Sequence, residues 1–213
     1  MQMEVKIFNV SFLFVRNQCY LIHKNNEGIL IDPAWNYRLI RTFLESNRVT
    51  LKGVLLTHGH LDHINLAGRF AKAYDIPVFM NDKEIEASGF KCKNLTSVSH
   101  LKELEVSGIR ILPILTPGHT PGSTCFLIGD NLFSGDTVFI EGVGRCYDAG
   151  IMYSSIQFLK YYLNENVRVW PGHSFGESPG QRFGHLLTNN IYFQLDKKEH
   201  FIALRTRRKQ SRL

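Results

Sequence analysis

Thr57-His58-Gly59-His60-Leu61-Asp62-His63 follows the apolar run Gly53-Val54-Leu55-Leu56 and places three imidazoles and a carboxylate within six residues. An apolar run of this kind reads as a buried strand. A strand ending in a tight loop aims alternate side chains to one side, which allows His58 and His60 to converge on one ion while Asp62 and His63 reach a neighbouring one. Four ligand-type side chains at this spacing read as a metal site rather than as a polar surface loop.

The same device recurs three times downstream. Ile111-Leu112-Pro113-Ile114-Leu115 leads into Thr116-Pro117-Gly118-His119-Thr120-Pro121-Gly122-Ser123, and Asn131-Leu132-Phe133-Ser134 leads into Gly135-Asp136-Thr137. Val167-Arg168-Val169-Trp170 leads into Pro171-Gly172-His173-Ser174. Each β-type run delivers one His or Asp through a Gly- or Pro-rich turn, where a missing side chain lets the backbone come close to an ion. Four strand ends pointing at one place make a cleft at a sheet edge.

The set H-x-H-x-D-H, G-H-T-P-G-S, G-D-T and P-G-H resembles the metallo-β-lactamase-fold hydrolases, and within them the glyoxalase II-like branch. The resemblance implies an α+β fold, an αββα sandwich with the metal site at one edge of the two sheets. It implies two Zn2+, with Fe or Mn as alternatives, one ion held by His58, His60 and His119 and the other by Asp62, His63 and His173, with Asp136 bridging both. Asp136 stands where the zinc β-lactamases with a thiolate ligand carry Cys, which disfavours that activity. Asp32, after Ile29-Leu30-Ile31, matches a family Asp that supports the metal loop through hydrogen bonds and is not a ligand.

Two close divalent ions make a water between them acidic enough to give a hydroxide near neutral pH, so the expected reaction is attack of that bridging hydroxide on a carbonyl, with Asp62 as the catalytic group that orients it. The sequence offers no evident strong acid for the leaving group. A thiolate needs little help, since a thiol has a pKa of about 8.5, and this tilts the substrate toward acyl thioesters. In Gly142-Val143-Gly144-Arg145-Cys146-Tyr147-Asp148, Arg145 and Tyr147 fall on positions that in glyoxalase II enzymes contact the glutathione part of the substrate, which implies substrate-binding roles. Glyoxalase II proper continues into a helical domain, whereas this chain has only 40 residues after His173. In size it resembles the short hydrolases of bacterial polyketide gene clusters, which implies an acyl group on an acyl carrier protein as substrate. Three alternatives stand beside this: an S-acylglutathione hydrolase, a mononuclear-iron persulfide dioxygenase, whose loop Phe139-Ile140-Glu141-Gly142-Val143-Gly144-Arg145 also resembles, and a non-enzymatic carrier-protein-binding module. The last is weakened by a ligand set in which every position is filled.

Composition fits one metallo-β-lactamase-fold domain over residues 1–213, since 213 residues with 44% hydrophobic and 21% charged side chains suffice for a full core. No apolar stretch approaches the roughly 20 residues of a membrane span, and the start lacks a basic-then-apolar signal pattern, so a cytoplasmic protein without membrane contact is expected. Cys19, Cys92, Cys125 and Cys146 show no close pairing and predict no disulfide framework, with Cys19 and Cys125 as buried thiols. The net charge is +6, and a short basic tail at 205–213 holds five of the basic residues, a rim suited to an acidic carrier protein. Nucleic acid is the weaker reading of that charge, because the chain has little room for the substrate-binding insertions of the RNA-processing branch. Periodicity predicts strands around 5–15, 19–23 and 28–32, a strand at 77–80, and helices at 37–46, 65–74 with Asn65 as cap, 83–88, 152–163 and, as the last, 181–192. The polar stretch 89–102 gives no assignment, and His23, His100, His185 and His200 read as surface, turn or packed helix residues.

Overall fold

The computed structural model describes residues 3–206. Its first sheet runs in sequence order through β1 (Glu4–Phe12), β2 (Val15–Lys24), β3 (Glu27–Ile31), β4 (Thr50–Leu55), β5 (Val78–Asn81) and β6 (Leu95–Val98). The first three strands pair antiparallel and β3 to β6 pair parallel. Parallel neighbours need crossovers, supplied here by α1 (Tyr37–Ser46), α2 (Leu61–Ile64) with α3 (Ala67–Tyr74), and α4 (Asp82–Ser88). The second half contains β7 (Leu104–Val106), β8 (Ile109–Leu115), β9 (Thr124–Ile128), β10 (Asn131–Gly135), a small pair β11 (Val138–Phe139) and β12 (Gly142–Val143), then α5 (Ala149–Tyr162), β13 (Arg168–Pro171), β14 (Gln181–Arg182), α6 (Phe183–Asn189), α7 (Ile191–Gln194) and α8 (Lys198–Thr206). The second sheet has the order β14-β13-β10-β9-β8-β7.

Strand alternation builds the layers. Tyr20, Ile22, Ile29, Ile31 and Leu55 meet Ile109, Ile111, Phe126, Ile128 and Phe133 between the sheets. Their neighbours Cys19, Leu21, Leu30, Val54 and Leu56 point the other way, onto Ile40 and Leu44 of α1 and Ala67 and Phe70 of α3. On the far side Cys125, Leu132 and Val169 pack against Met152, Ile156 and Leu159 of α5 and against Phe183, Phe193 and Phe201 of the last helices. Strands apolar on both faces are what a four-layer αββα sandwich requires, and the expected architecture is found.

Several expected boundaries move. The first strand does not run through 15, because the chain reverses at Leu13 and Phe14 and Val15 opens β2. The helix expected at 65–74 starts later, as α3 at Ala67 with Leu66 at its N-cap, and Asn65 instead closes the preceding turn α2, its backbone N–H donating to Leu61 O at 3.2 Å while its side-chain oxygen accepts from the Trp35 backbone N–H at 3.0 Å. Helix 152–163 begins earlier, at Ala149, where the Asp148 carboxylate caps it by accepting from Ile151 N at 2.8 Å. The helix expected at 181–192 is broken into β14, α6 and α7, and it is not the last, since α8 follows. The cause of the break between α6 and α7 is Asn190, held in extended conformation and buried. Its amide donates to Phe139 O and Gly142 O at 3.0 and 2.9 Å and its oxygen accepts from Tyr192 N at 3.1 Å. Arg205 and Thr206 close α8, and the remainder of the basic tail, 207–213, lies outside the described residues. All four cysteines are free, with Cys19 and Cys125 buried. Among the described residues, no helix is long and apolar enough to cross a membrane.

Candidate metal centre

The loops after β4, β8, β10 and β13 meet at one sheet edge, and they bring together all seven residues expected as ligands. His58, His60 and His119 each offer a nitrogen within 4.8 Å of the others, and Asp62, His63 and His173 form a second such group. His119 Nε2 lies 3.0 Å from His60 Nδ1, and Asp62 Oδ2 lies 3.3 Å from His173 Nε2. Asp136 touches both groups, with Oδ2 at 3.5 Å from His119 Nε2 and 3.4 Å from His173 Nε2, and Oδ1 at 3.5 Å from His63 Nε2. In each triad two residues come from the exit of β4 in the first sheet and one from the second sheet.

Hydrogen bonds set the imidazole tautomers. Nδ1 of His119 donates to the Arg145 carbonyl and Nδ1 of His173 to the Arg16 carbonyl, each at 2.6 Å. His63 Nδ1 donates to Asp32 Oδ2 at 2.9 Å. Because the Thr57 hydroxyl gives its proton to Asp32 at 2.6 Å, it accepts from His58 Nδ1 at 3.0 Å. These four rings therefore turn Nε2 toward the centre, the nitrogen that binds metal once it carries no proton, and His60 presents Nδ1 instead. Among the described residues, His58 Nε2, His63 Nε2 and Asp136 Oδ1 are buried without a hydrogen-bond partner. Each such orphan costs about 1–3 kcal/mol. A divalent ion would satisfy all three, and an imidazole and carboxylate donor set suits zinc.

Without an ion, the carboxylates and imidazoles act on one another. Burial works against a protonated His173, yet its hydrogen bonds with Asp136 and Asp62 push it up to about 10. Burial likewise opposes the Asp62 carboxylate, but the hydrogen bond from His173 and the charge of His63 hold it down at about 2. Burial, with four neighbouring imidazoles, drives His58 well below the usual range. Metal uptake must therefore displace a proton that the two carboxylates retain, and affinity rises with pH.

Asp32 is placed as expected, beneath the centre. It also lies near His58 and His63, but its oxygens are already engaged by Thr57 N, Thr57 Oγ1 and His63 Nδ1. Its backbone is left-handed at φ 49°, strain of roughly 1–3 kcal/mol that aims the carboxylate at both loops. Gly172 is needed for space: a Cβ there would come within 2.6 Å of Asp136 Oδ1 and His63 Cε1.

Glu84 carries no sequence signal as a site residue, since nothing local distinguishes it from a solvated acid in a helix first turn. It is buried, and its oxygens accept from Gly59 N at 2.7 Å, Gly122 N at 2.9 Å and the Thr120 hydroxyl at 2.7 Å. One carboxylate thus joins the loop bearing His58 and His60 to the loop bearing His119. Glu84→Ala is expected to weaken metal binding roughly 10- to 100-fold, with Glu84→Gln less affected. Competition with a chromophoric chelator measures this, and an unchanged affinity would return Glu84 to simple packing.

The centre opens into a cavity of about 860 Å³, lined among others by Phe14, Arg16, Arg145, Phe175, Tyr192 and Arg205. Arg145 is thus in the cavity, while Tyr147 is exposed beside it, outside the lining, its backbone N–H donating to Gly118 O at 2.9 Å. Arg205 reaches the cavity from α8, resting on the Tyr192 ring with its guanidinium 3.4 Å from the Tyr192 hydroxyl. Nothing in the sequence places Arg16, Tyr192 or Arg205 beside the metal centre, because only the tertiary fold brings them to the mouth.

Residues 14–173, spanning every proposed ligand, match the metallo-beta-lactamase superfamily. The chain belongs to this superfamily. It is 45% identical over 203 residues, 92% of this chain and 90% of the relative, to the probable polyketide biosynthesis zinc-dependent hydrolase BaeB of Bacillus velezensis. It is 44% identical, over 91% of this chain and 89% of the relative, to the corresponding hydrolase PksB of Bacillus subtilis. A hydroxyacylglutathione hydrolase of Methylobacillus flagellatus is 32% identical over 92% of this chain and 72% of its own length. Among solved structures, a metallo-beta-lactamase of Staphylococcus aureus superposes with a TM-score of 0.86 at 26% identity, over 99% of this chain and 68% of that one. Kinship and centre together make this member of the metallo-beta-lactamase superfamily a metal-dependent hydrolase.

Proposed function

We propose that the protein is a zinc-dependent thioesterase with two metal sites, acting on acyl groups carried by an acyl carrier protein in polyketide biosynthesis. The observation that carries this reading is the pair of complete triads spanned by Asp136 at the floor of a cavity with arginines in its wall. The relatives BaeB and PksB support the polyketide assignment by their names. Divalent ions, when bound by these residues, supply Lewis acidity toward a carbonyl and a water acidified to neutral pH.

The chain's own groups do the rest. Asp62, fixed as a carboxylate, accepts a hydrogen bond and so orients the attacking water. Outside the proposed ligands the cavity's carboxyl group is Glu141, which already accepts from Glu177 N at 3.1 Å. A leaving group that needs no strong acid, such as a thiolate, fits that lining. Cys125 is no nucleophile here, since burial pushes its thiol up to about 11. Arg145 holds His119 through its backbone carbonyl, and among the described residues its guanidinium has no hydrogen-bond or ion-pair partner, which leaves it available to the polar thiol arm.

A panel of acyl-carrier-protein, acyl-CoA and S-acylglutathione thioesters tests the reading. Metal-dependent hydrolysis is expected, fastest on the carrier protein and slowed by salt, because a chain of net charge +6 attracts an acidic partner mainly at encounter. Arg145→Ala should raise KM for a pantetheine thioester roughly tenfold at unchanged metal content. Faster cleavage of S-acylglutathione without a salt effect would move the protein to the hydroxyacylglutathione hydrolase reading, which the 32% identical relative favours. One iron per chain with oxygen consumption would move it to oxygenase chemistry.

A further inference from the structure

The β1–β2 hairpin carries Phe12, Leu13, Phe14 and Val15 at 55, 80, 100 and 42% exposure. Hairpin tips are ordinarily built from Gly, Asn and Asp, which take left-handed backbone cheaply and remain solvated. This one places Leu13 at φ 53° and holds four consecutive apolar side chains in water. The tip is also anchored to the metal loop. Phe12 stacks on Trp35 at 5.0 Å, Trp35 Nε1 donates to Asn17 Oδ1 at 2.8 Å, and the Asn17 amide donates to the Asp62 carbonyl at 2.5 Å.

Phe14 and Val15 line the cavity that contains His60, Asp62 and His173. A second loop adds Phe175, 55% exposed, its ring 4.8 Å from Phe139 and 6.3 Å from His173. Apolar side chains from two separate loops therefore flank the centre, in a cavity whose charged lining is otherwise arginine, Glu141 and the proposed ligands.

We propose that Phe14, Val15 and Phe175 seat the acyl chain of the substrate and select an apolar chain of several carbons over acetyl. The proposal rests on the reading of the centre as an acyl hydrolase but not on the identity of the thiol. An apolar chain entering this cavity covers the hairpin tip as well as itself, and each fully buried methylene strengthens binding about three- to fourfold.

Two measurements test it on the zinc-loaded full chain. Calorimetric titration with the free carboxylate products is expected to show octanoate binding at least about tenfold tighter than acetate. Steady-state hydrolysis of S-acyl-pantetheine thioesters from two to ten carbons should show kcat/KM rising with length. Phe14→Ser and Phe175→Ser should each flatten both profiles, and Tyr161→Ser, an exposed aromatic of α5, should leave them as in the parent. Equal affinity for octanoate and acetate overturns the proposal even if thioesters are cleaved. Tighter octanoate binding without cleavage of any thioester upholds the acyl seat and rejects the thioesterase reading. If Phe14→Ser slows every carrier-borne substrate alike while pantetheine thioesters keep their length dependence, the tip is a docking surface for the carrier protein and the proposal is wrong.

Discussion

Asp136→Ala is expected to lose zinc and to lower kcat/KM on the order of 10³-fold, the largest effect of any single substitution in the protein. Asp136 lies within 3.5 Å of His63, His119 and His173, which belong to different triads. On the proposed two-site reading, removing it deletes a shared ligand and the negative charge that would offset two divalent cations. It also leaves a void beside Gly172, in a place too tight for any side chain at that position. Asp136→Asn preserves the shape, so it separates charge from packing and should fall between the parent and the alanine variant. Elemental analysis of the purified protein, paired with turnover of a thioester, decides the matter. Parent metal content and turnover in Asp136→Ala would show that Asp136 does not span two sites.

Asp62→Ala should cost roughly 10²- to 10³-fold in kcat, because it removes a ligand and the group that orients the attacking water. The fold around it should survive, since the hydrogen bond that fixes this turn runs from Asn17 to the Asp62 backbone carbonyl, which any residue supplies. Circular dichroism should therefore match the parent while turnover collapses. Cys146→Ser is the matching control and should keep parent activity, because no side-chain nucleophile is invoked. A dead Cys146→Ser enzyme with full zinc, beside an active Asp62→Ala enzyme, would sink the metal-based reading of the site.

The legible part of this protein was the part written in local spacing. His58, His60, Asp62 and His63 sit within one loop, and His119, Asp136 and His173 each follow an apolar run through a Gly-containing turn, so residue type and strand period locate them without tertiary knowledge. Asn190 shows where that ends. Its neighbours continue a helical pattern, but its amide is committed to Phe139 and Gly142, about 50 residues earlier in the chain, and these bonds outweigh local propensity. Glu84 and Thr57 were hidden for the same reason: each matters through hydrogen bonds to loops remote in sequence, or to an Asp whose strained backbone is itself invisible in a string of letters. As sequence, Arg205 is only one charge of a basic tail suited to an acidic carrier protein, because charge alone says nothing of where a helix returns. In the fold it rests on Tyr192 at the cavity mouth.

The division of each triad between the two sheets makes the centre a rivet as well as a reaction site. Neither half of the sandwich can complete a coordination sphere alone, so every bound ion fastens β4 of one sheet to β8, β10 or β13 of the other. Binding that requires the assembled state raises the free energy of unfolding, by about 4 kcal/mol at a thousandfold excess over Kd. Without zinc, His173 must keep its proton to hold Asp62 and Asp136 together, and the seam opens more readily as pH rises through about 10. If the centre holds zinc as proposed, protein kept short of metal should be proteolysed faster than the loaded form, and scarcity would register as falling abundance before it registered as idle enzyme.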